Sequence, residues 1–284
     1  MATLPKNYRR DCLLGALGAL LMLMGDLCLS VIPAYPGDSG LFLREAYLSG
    51  AYPGWRLPLL LGTGLVGMAL NYFSVRVCYT QVQPQYRKTR EALLTGGVIY
   101  LTSAAALHLL IGSLVDWTSM LSPLLGREEA AALIQSQYTR LSPATLVAYG
   151  GMILLIVGNA WAVWTKKTFL PRRIFFFQPL VWQLLFILIP DVRQLCGAEV
   201  STWDFVLSQG SGNAALLIWM LANAVWAQRQ KPVLFRPDHA AAGQDRRARH
   251  GNSYLPCPEN GKKVPCPVRA ALRPSDPARA GPAA

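Results

Sequence analysis

Two ionisable side chains lie inside long apolar runs of this sequence and are the residues best placed to do chemistry. Asp26 lies in LMLMGDLCLS (residues 21–30), and His108 lies in the apolar run of residues 92–114. An ionisable group in the middle of a membrane span costs about 3 kcal/mol on insertion scales, so it normally faces the bundle interior and has a partner. Because histidine changes charge near neutral pH, an Asp26–His108 pair is suited to moving protons or contacting a polar substrate.

Asp26 and His108 are predicted to lie at the same depth. Each comes six residues before the outer end of its apolar run, which puts both about 9 Å below the outer interface at 1.5 Å per residue. Small residues share the helical face of each, so that a neighbouring helix can approach closely: Gly15, Gly18 and Ala19 for the acid, and Gly97, Ala104 and Gly112 for the histidine. We therefore predict a hydrogen bond between Asp26 and His108, with Gln183 of the fifth run at matching depth.

A second polar layer is predicted nearer the cytoplasmic ends of the even-numbered runs. Each of these runs carries one asparagine five to seven residues before its first basic residue: Asn71, Asn159 and Asn223. The recurrence suggests three helical hairpins of related design, and chance agreement among short motifs is the competing explanation. The three amides serve either as hydrogen bonds between helices or as the lining of a polar pathway.

Other kinds of chemistry lack the residues that they need. A zinc site takes three or four His, Cys, Asp or Glu ligands, and only one of the three histidines lies in an apolar run. The sequence contains no G-x-S-x-G, no phosphate-binding loop and no dinucleotide fingerprint. We therefore predict no catalytic residue, no metal and no cofactor. An intramembrane enzyme stays an alternative, behind transport or ligand binding and behind a scaffold or sensor.

Six apolar runs of roughly bilayer length must position these residues. Hydrophobic residues make up 52% of the 284 residues and charged residues only 15%, whereas about a quarter of a soluble domain is charged. A helix needs about 20 apolar residues to cross roughly 30 Å of hydrocarbon. We predict an all-α polytopic transmembrane bundle over residues 12–228, with six spans at residues 12–32, 57–79, 92–114, 144–164, 174–189 and 210–227.

Lysine and arginine collect on one side of these predicted spans. Before the tail, eleven of them, counting Arg76 near the inner end of span two, lie in the N-terminal segment 1–11, between spans two and three, and between spans four and five, against five in the other connections. The positive-inside rule therefore places both termini in the cytoplasm. We predict no nucleic-acid partner, because the net charge of +12 is divided among short loops and a tail. A cleaved signal peptide is the alternative for the first run, although Asp26 and the lack of an A-x-A site argue against it.

The segments outside the spans are predicted to be peripheral. Residues 229–284 are rich in Pro, Ala, Gly and Arg without apolar periodicity, which predicts a disordered basic tail that is either solvated or in contact with anionic lipid. Short helices are predicted after Asp38 and over residues 126–141, where they cap the bundle or cover it as a lid. The positions of the six cysteines in the sequence argue against a framework of disulfide bonds.

The arrangement of six spans resembles an uncharacterised family of small bacterial integral membrane proteins, with LMLMGDLCLS in the first span and GNAALLIWMLANAVW (residues 212–226) in the last. The resemblance covers roughly residues 11–228; it implies a bacterial cytoplasmic membrane and no particular activity. From the residues themselves, we predict small-molecule transport or ligand binding through a polar interior near the outer face. A membrane scaffold or sensor with structural polar contacts is the alternative, and the lipid bilayer is a partner in either case.

Overall fold

The computed structural model describes residues 4–36, 38 and 43–230, and the structural statements below concern this part of the chain. Its helices are α1 (Tyr8–Ser30), α2 (Glu45–Leu48), α3 (Arg56–Thr80), α4 (Arg87–Leu125), α5 (Arg127–Trp164), α6 (Pro179–Leu195) and α7 (Thr202–Gln230), with a 3-10 helix at Arg172–Phe177. Six candidate spans are long and apolar enough to cross a membrane, the 3-10 helix and α6 together making the fifth. The predicted all-α bundle with six spans is therefore confirmed. The cytoplasmic position of both termini stays a prediction, and the predicted tail lies outside the described residues from residue 231 on.

Helices α4 and α5 extend far beyond the predicted third and fourth spans. They contain 39 and 38 residues, so each is about 57 Å long, nearly twice the thickness of the hydrocarbon core. The helix predicted over residues 126–141 is the first part of α5, because the chain breaks only at Gly126, where φ is +91°. Pro143 lacks the N–H that the carbonyl of Thr139 would accept, and the Ser142 hydroxyl donates to that carbonyl at 2.8 Å instead.

The fifth predicted span, residues 174–189, is divided in the structure. The 3-10 helix Arg172–Phe177 is followed by Gln178 in an extended conformation, and α6 then begins at Pro179. Proline suits the first position of a helix, because the N–H that it lacks would have no partner there. Pro179 therefore starts the helix.

The six long helices follow one another in the order α6, α7, α1, α3, α4 and α5, and each packs against the next. Helices α1 and α3 cross where Gly18 faces Gly67, since a Cβ on either residue would lie within 2.9 Å of the other residue's carbonyl oxygen. Gly96 of α4 faces Gly151 of α5 in the same way, with 3.0 Å from a Cβ on the first to the carbonyl of the second. Glycine at both crossings lets the backbones approach. The small-residue face of α1 thus meets a neighbouring helix as predicted.

We call the end of the bundle that contains α2 the outer end, following the predicted topology. There the last carbonyls of α1, which have no donors within the helix, are capped by the loop that follows. The fully buried Arg44 donates to the carbonyls of Ser30 at 3.1 Å and Ile32 at 2.8 Å, and the Tyr47 hydroxyl donates to Leu29 at 2.7 Å. Burial lowers the pKa of Arg44 and raises the pKa of Tyr47 to about 12. This loop is therefore fixed to α1 by buried hydrogen bonds.

The opposite, inner end is closed by a short pairing of two connecting segments. Val82 forms an antiparallel bridge with Thr168. The backbone N–H of Gln83 donates to the carbonyl of Lys167 at 2.8 Å, and the N–H of Phe169 donates to the carbonyl of Gln81 at 2.9 Å. These bonds join the α3–α4 connection to the α5–α6 connection. The two connections are therefore held against each other at the inner end.

Candidate functional site

The Asp26 carboxylate lies at the contact between α1 and α7. It is only 9% exposed, and its Oδ2 accepts a hydrogen bond of 2.8 Å from the Asn213 side-chain amide. Small residues precede Asn213 in α7, and a Cβ on one of them, Gly210, would lie 2.9 Å from the Leu23 side chain of α1. The glycine therefore allows the close approach of the two helices that brings the amide to the acid.

Asp26 has no charged partner in the part of the chain that the structure describes. The ion pairs found there involve other acids: Asp11, Asp38, Glu45, Glu91 and Asp204. A buried carboxylate loses the solvation that stabilises its charge, and a single amide replaces only part of it. The site is therefore complementary to a positive charge or a proton.

Two glutamines lie near Asn213. Gln209 precedes Asn213 by one helical turn, so that the two share one face of α7, and its Oε1 is buried with no hydrogen-bond donor among the described residues. The side-chain nitrogen of Gln183 in α6 lies 3.8 Å from the position of a Cβ on Gly212, the residue before Asn213. Gln183 therefore lies beside α7, and its place in one polar interior with Asp26 stays a prediction.

His108 does not form the predicted hydrogen bond with Asp26. Its imidazole is inserted between α1 and α3, where Nε2 lies 2.8 Å from the position of a Cβ on Gly25, and Cδ2 lies 2.2 Å from that of a Cβ on Gly64. Nε2 is buried and has no hydrogen-bond partner among the described side chains and backbone. The imidazole therefore lies at the level of Gly25, the residue before Asp26, and the predicted depth of both groups below the outer interface stays a prediction. The pairing fails because consecutive residues of a helix point about 100° apart, so that Asp26 faces α7.

The inner end contains a chain of buried hydrogen bonds that includes two of the predicted asparagines. The Tyr8 hydroxyl donates to Asn223 Oδ1 at 2.7 Å. The Gln81 amide donates to Asn159 Oδ1, and the Asn159 amide donates to Gln178 Oε1 at 3.0 Å. All five side chains are at most 2% exposed. The members of this hydrogen-bond network donate to and accept from one another. They therefore hold helices together, which is one of the two roles predicted for the asparagines.

The third predicted asparagine, Asn71, lies apart from this chain. Its Oδ1 accepts a bond of 3.3 Å from Ser74 of the same helix, and its backbone N–H adjoins Gly18. Its side-chain nitrogen is buried with no partner among the residues described. Asn71 therefore lies at the α1–α3 crossing, and the three asparagines do not form one hydrogen-bonded layer.

Sequence reasoning missed the residues that complete both polar groups: Asn213 and Gln209 at the acid, and Tyr8, Gln81 and Gln178 at the inner end. Gln209 and Asn213 had a usable signal, because they lie four residues apart and so share one face of the last span. Tyr8, Gln81 and Gln178 had none, since polar residues at the ends of spans are ordinarily exposed to head groups or water.

Metal-binding groups are dispersed in the described ranges. No three His, Cys, Asp or Glu side chains within residues 4–36, 38 and 43–230 come close enough to hold a metal ion. The four cysteines described there, Cys12, Cys28, Cys78 and Cys196, carry free thiols. Cys257 and Cys266 lie outside the described residues.

Comparison with known proteins gives one match. A family model described as "Family of unknown function (DUF6796)" matches residues 1–224. No curated protein and no solved structure matches the chain. The resemblance to an uncharacterised family is confirmed at that level, and the bacterial origin stays a prediction.

Proposed function

We propose that this chain, which belongs to the DUF6796 family of unknown function, binds a small molecule with a protonated amine in the outer half of its membrane bundle. The ligand's ammonium group contacts Asp26, while its apolar body lies among the surrounding helices. A ligand-binding membrane protein and a transporter both require such a site. The six apolar helices support the membrane setting of the proposal.

The observation that carries the proposal is the uncompensated acid. Asp26 is 9% exposed, and within the described residues the Asn213 amide is the one hydrogen-bond partner of its side chain. Burying an unpaired carboxylate costs several kcal/mol even after the surroundings relax. A bound ammonium group would restore the missing charge, and its N–H donors match the carboxylate oxygens of Asp26.

The uncompensated negative charge of Asp26 also determines which ligands the site should reject. A carboxylate ligand would place like charges together, which disfavours its binding by a large factor at low dielectric. An alcohol of the same shape can donate one hydrogen bond but brings no charge. The expected order of affinity is therefore amine, then alcohol, then carboxylate.

The second candidate function is a scaffold in which every polar contact is structural. The inner-end hydrogen-bond chain from Tyr8 to Gln178 favours it, because those side chains bond to one another with no ligand, Tyr8 also donating to Gln81 Oε1 at 3.4 Å. Under this alternative, Asp26 serves only to join α1 to α7 through Asn213.

A thermal-shift panel separates the two candidates. The purified protein in lipid nanodiscs is heated with cyclohexylamine, cyclohexanol or cyclohexanecarboxylate, which share one ring and differ in the polar group. The ligand-binding proposal predicts stabilisation by the amine alone and its loss in Asp26→Asn. Asp191→Asn is the matched control, since Asp191 is an exposed acid near the end of α6. Equal shifts for all three compounds, or for both variants, would support the scaffold.

A further inference from the structure

Helices α5 and α6, the two ends of the row of six long helices, pack weakly against each other. We call the boundary between them the α5–α6 seam. A cleft of about 150 Å³ opens there. Seven of its eight lining residues are apolar, and the eighth is Gln183; the cleft is lined by Met152, Ile153, Ile156 and Val157 of α5 and by Leu180, Gln183, Leu184 and Ile187 of α6. An apolar cleft between two membrane-spanning helices fits a hydrocarbon chain, because its walls offer contact and few hydrogen bonds.

The inner end of the same seam carries exposed positive charge. Lys166 and Arg173 are exposed, and neither side chain forms an ion pair or hydrogen bond within the described part of the chain. Arg172 is also exposed, but it is fixed: its Nε donates to the carbonyl of Trp164 at 3.0 Å, and its guanidinium lies 5.8 Å from the Trp164 ring. The remaining N–H groups of Arg172 stay available for a second acceptor, such as a phosphate oxygen.

The basic residues and the cleft are separated by about the distance between a lipid head group and the upper part of its acyl chains. Val157 precedes Trp164 by seven residues of α5, which is about 10 Å along the helix axis. On the other side of the seam, Leu180 follows Arg173 by seven residues. The charged groups thus lie at the interface where head groups reside, while the cleft lies in the depth range of acyl chains. Exposed Phe176 and Phe177 lie between the two.

We propose that the α5–α6 seam binds one anionic phospholipid. The phosphate contacts Lys166, Arg172 and Arg173, and one acyl chain occupies the cleft beside Gln183. The charge complementarity at the inner end selects an anionic lipid over a zwitterionic one. The site is independent of the amine site at Asp26, which lies on the α1–α7 contact.

The test is native mass spectrometry of the full chain in detergent, with dioleoyl phosphatidylglycerol or dioleoyl phosphatidylcholine added. We expect the first bound phosphatidylglycerol to bind at least fivefold more tightly than phosphatidylcholine. The double variant Lys166→Gln/Arg173→Gln should weaken phosphatidylglycerol binding by about 25-fold, because each basic residue near a membrane surface is worth about fivefold. Because these two side chains form no hydrogen bond or ion pair within the described part of the chain, the variant should fold normally.

The control is Arg87→Gln/Lys88→Gln, which removes two exposed charges, one of them paired with Glu91, from the first turn of α4, a helix that contributes no residue to the cleft. We expect it to change affinity less than twofold, and an equal loss would overturn the site in favour of diffuse attraction. Val157→Trp fills the cleft and should weaken the dioleoyl lipid about tenfold; an unchanged affinity would overturn the placement of the chain. Inorganic phosphate should not displace the lipid, and displacement would point to a phosphate site instead.

Discussion

The position of His108 can be tested through the glycine beneath its ring. A Cβ added at Gly64 would lie 2.2 Å from Cδ2 and 2.7 Å from Nε2 of His108, both inside van der Waals contact. The ring has no free space on the side of α1, because Nε2 already occupies the space that a Cβ would take at Gly25, 2.8 Å from that position. We therefore predict that Gly64→Ala destabilises the bundle.

The size of the effect follows from two opposing contributions. Overpacking a filled site costs about 1–3 kcal/mol. Replacing glycine by alanine inside a helix contributes up to about 1 kcal/mol in the other direction. A net loss of about 1–2 kcal/mol is expected for Gly64→Ala. Gly62 is the matched control in the same helix: a Cβ there would meet nothing within 4 Å, so Gly62→Ala should be neutral or slightly stabilising.

Unfolding of the protein in mixed micelles with increasing dodecyl sulfate, followed by helical circular dichroism, measures these free energies. A double-mutant cycle assigns the cost to the ring. In a His108→Ala background, Gly64→Ala should lose its penalty, which gives a coupling free energy of about 1–3 kcal/mol. A Gly64→Ala variant as stable as Gly62→Ala, or one equally harmful without the imidazole, would refute the placement of His108 between α1 and α3.

Two further predictions concern the buried hydrogen bonds at the two ends of the bundle. Burial raises the pKa of Tyr47 from its ordinary value of 10.0 to about 12, so its contribution to stability is complete below pH 10 and is lost as pH rises towards 12. Tyr47→Phe should cost about 1 kcal/mol at pH 8, through loss of the bond to Leu29, and should flatten the alkaline decline measured by thermal unfolding. At the inner end, Gln81→Ala should cost about 1–3 kcal/mol by leaving Asn159 without its donor. The exposed Gln85→Ala is the control, and equal melting temperatures for the two variants would count against the network.

The sequence was sufficient to predict the helical spans because span formation depends on local composition. Runs of about 20 apolar residues must be helical in a bilayer, where each backbone polar group needs an internal partner. The outer ends of α4 and α5 were not predicted at full length. Gly126 was a visible break, but nothing in the sequence distinguishes a helix that continues past the interface from a separate surface helix.

Relative position along the helices was easier to predict than the pairing of side chains. Counting residues along each helix put His108 level with Asp26, and in the structure the imidazole lies beside Gly25, the residue before Asp26. Pairing depends on which helices are neighbours, and short apolar runs do not specify that. In the structure the neighbour of Asp26 is α7, whose Asn213 donates a hydrogen bond to the carboxylate. Tyr8 and Gln81 were missed because their burial arises from contacts between distant segments.

The most direct test of the proposed function is the affinity ratio between an amine and the alcohol of the same shape. Isothermal titration of cyclohexylamine and cyclohexanol into the protein in nanodiscs measures it for the wild type and for Asp26→Asn. An uncompensated carboxylate predicts at least tenfold preference for the amine in the wild type, equivalent to about 1.4 kcal/mol, and no preference in the variant. Equal affinities in the wild type, or a preference that survives Asp26→Asn, would contradict it.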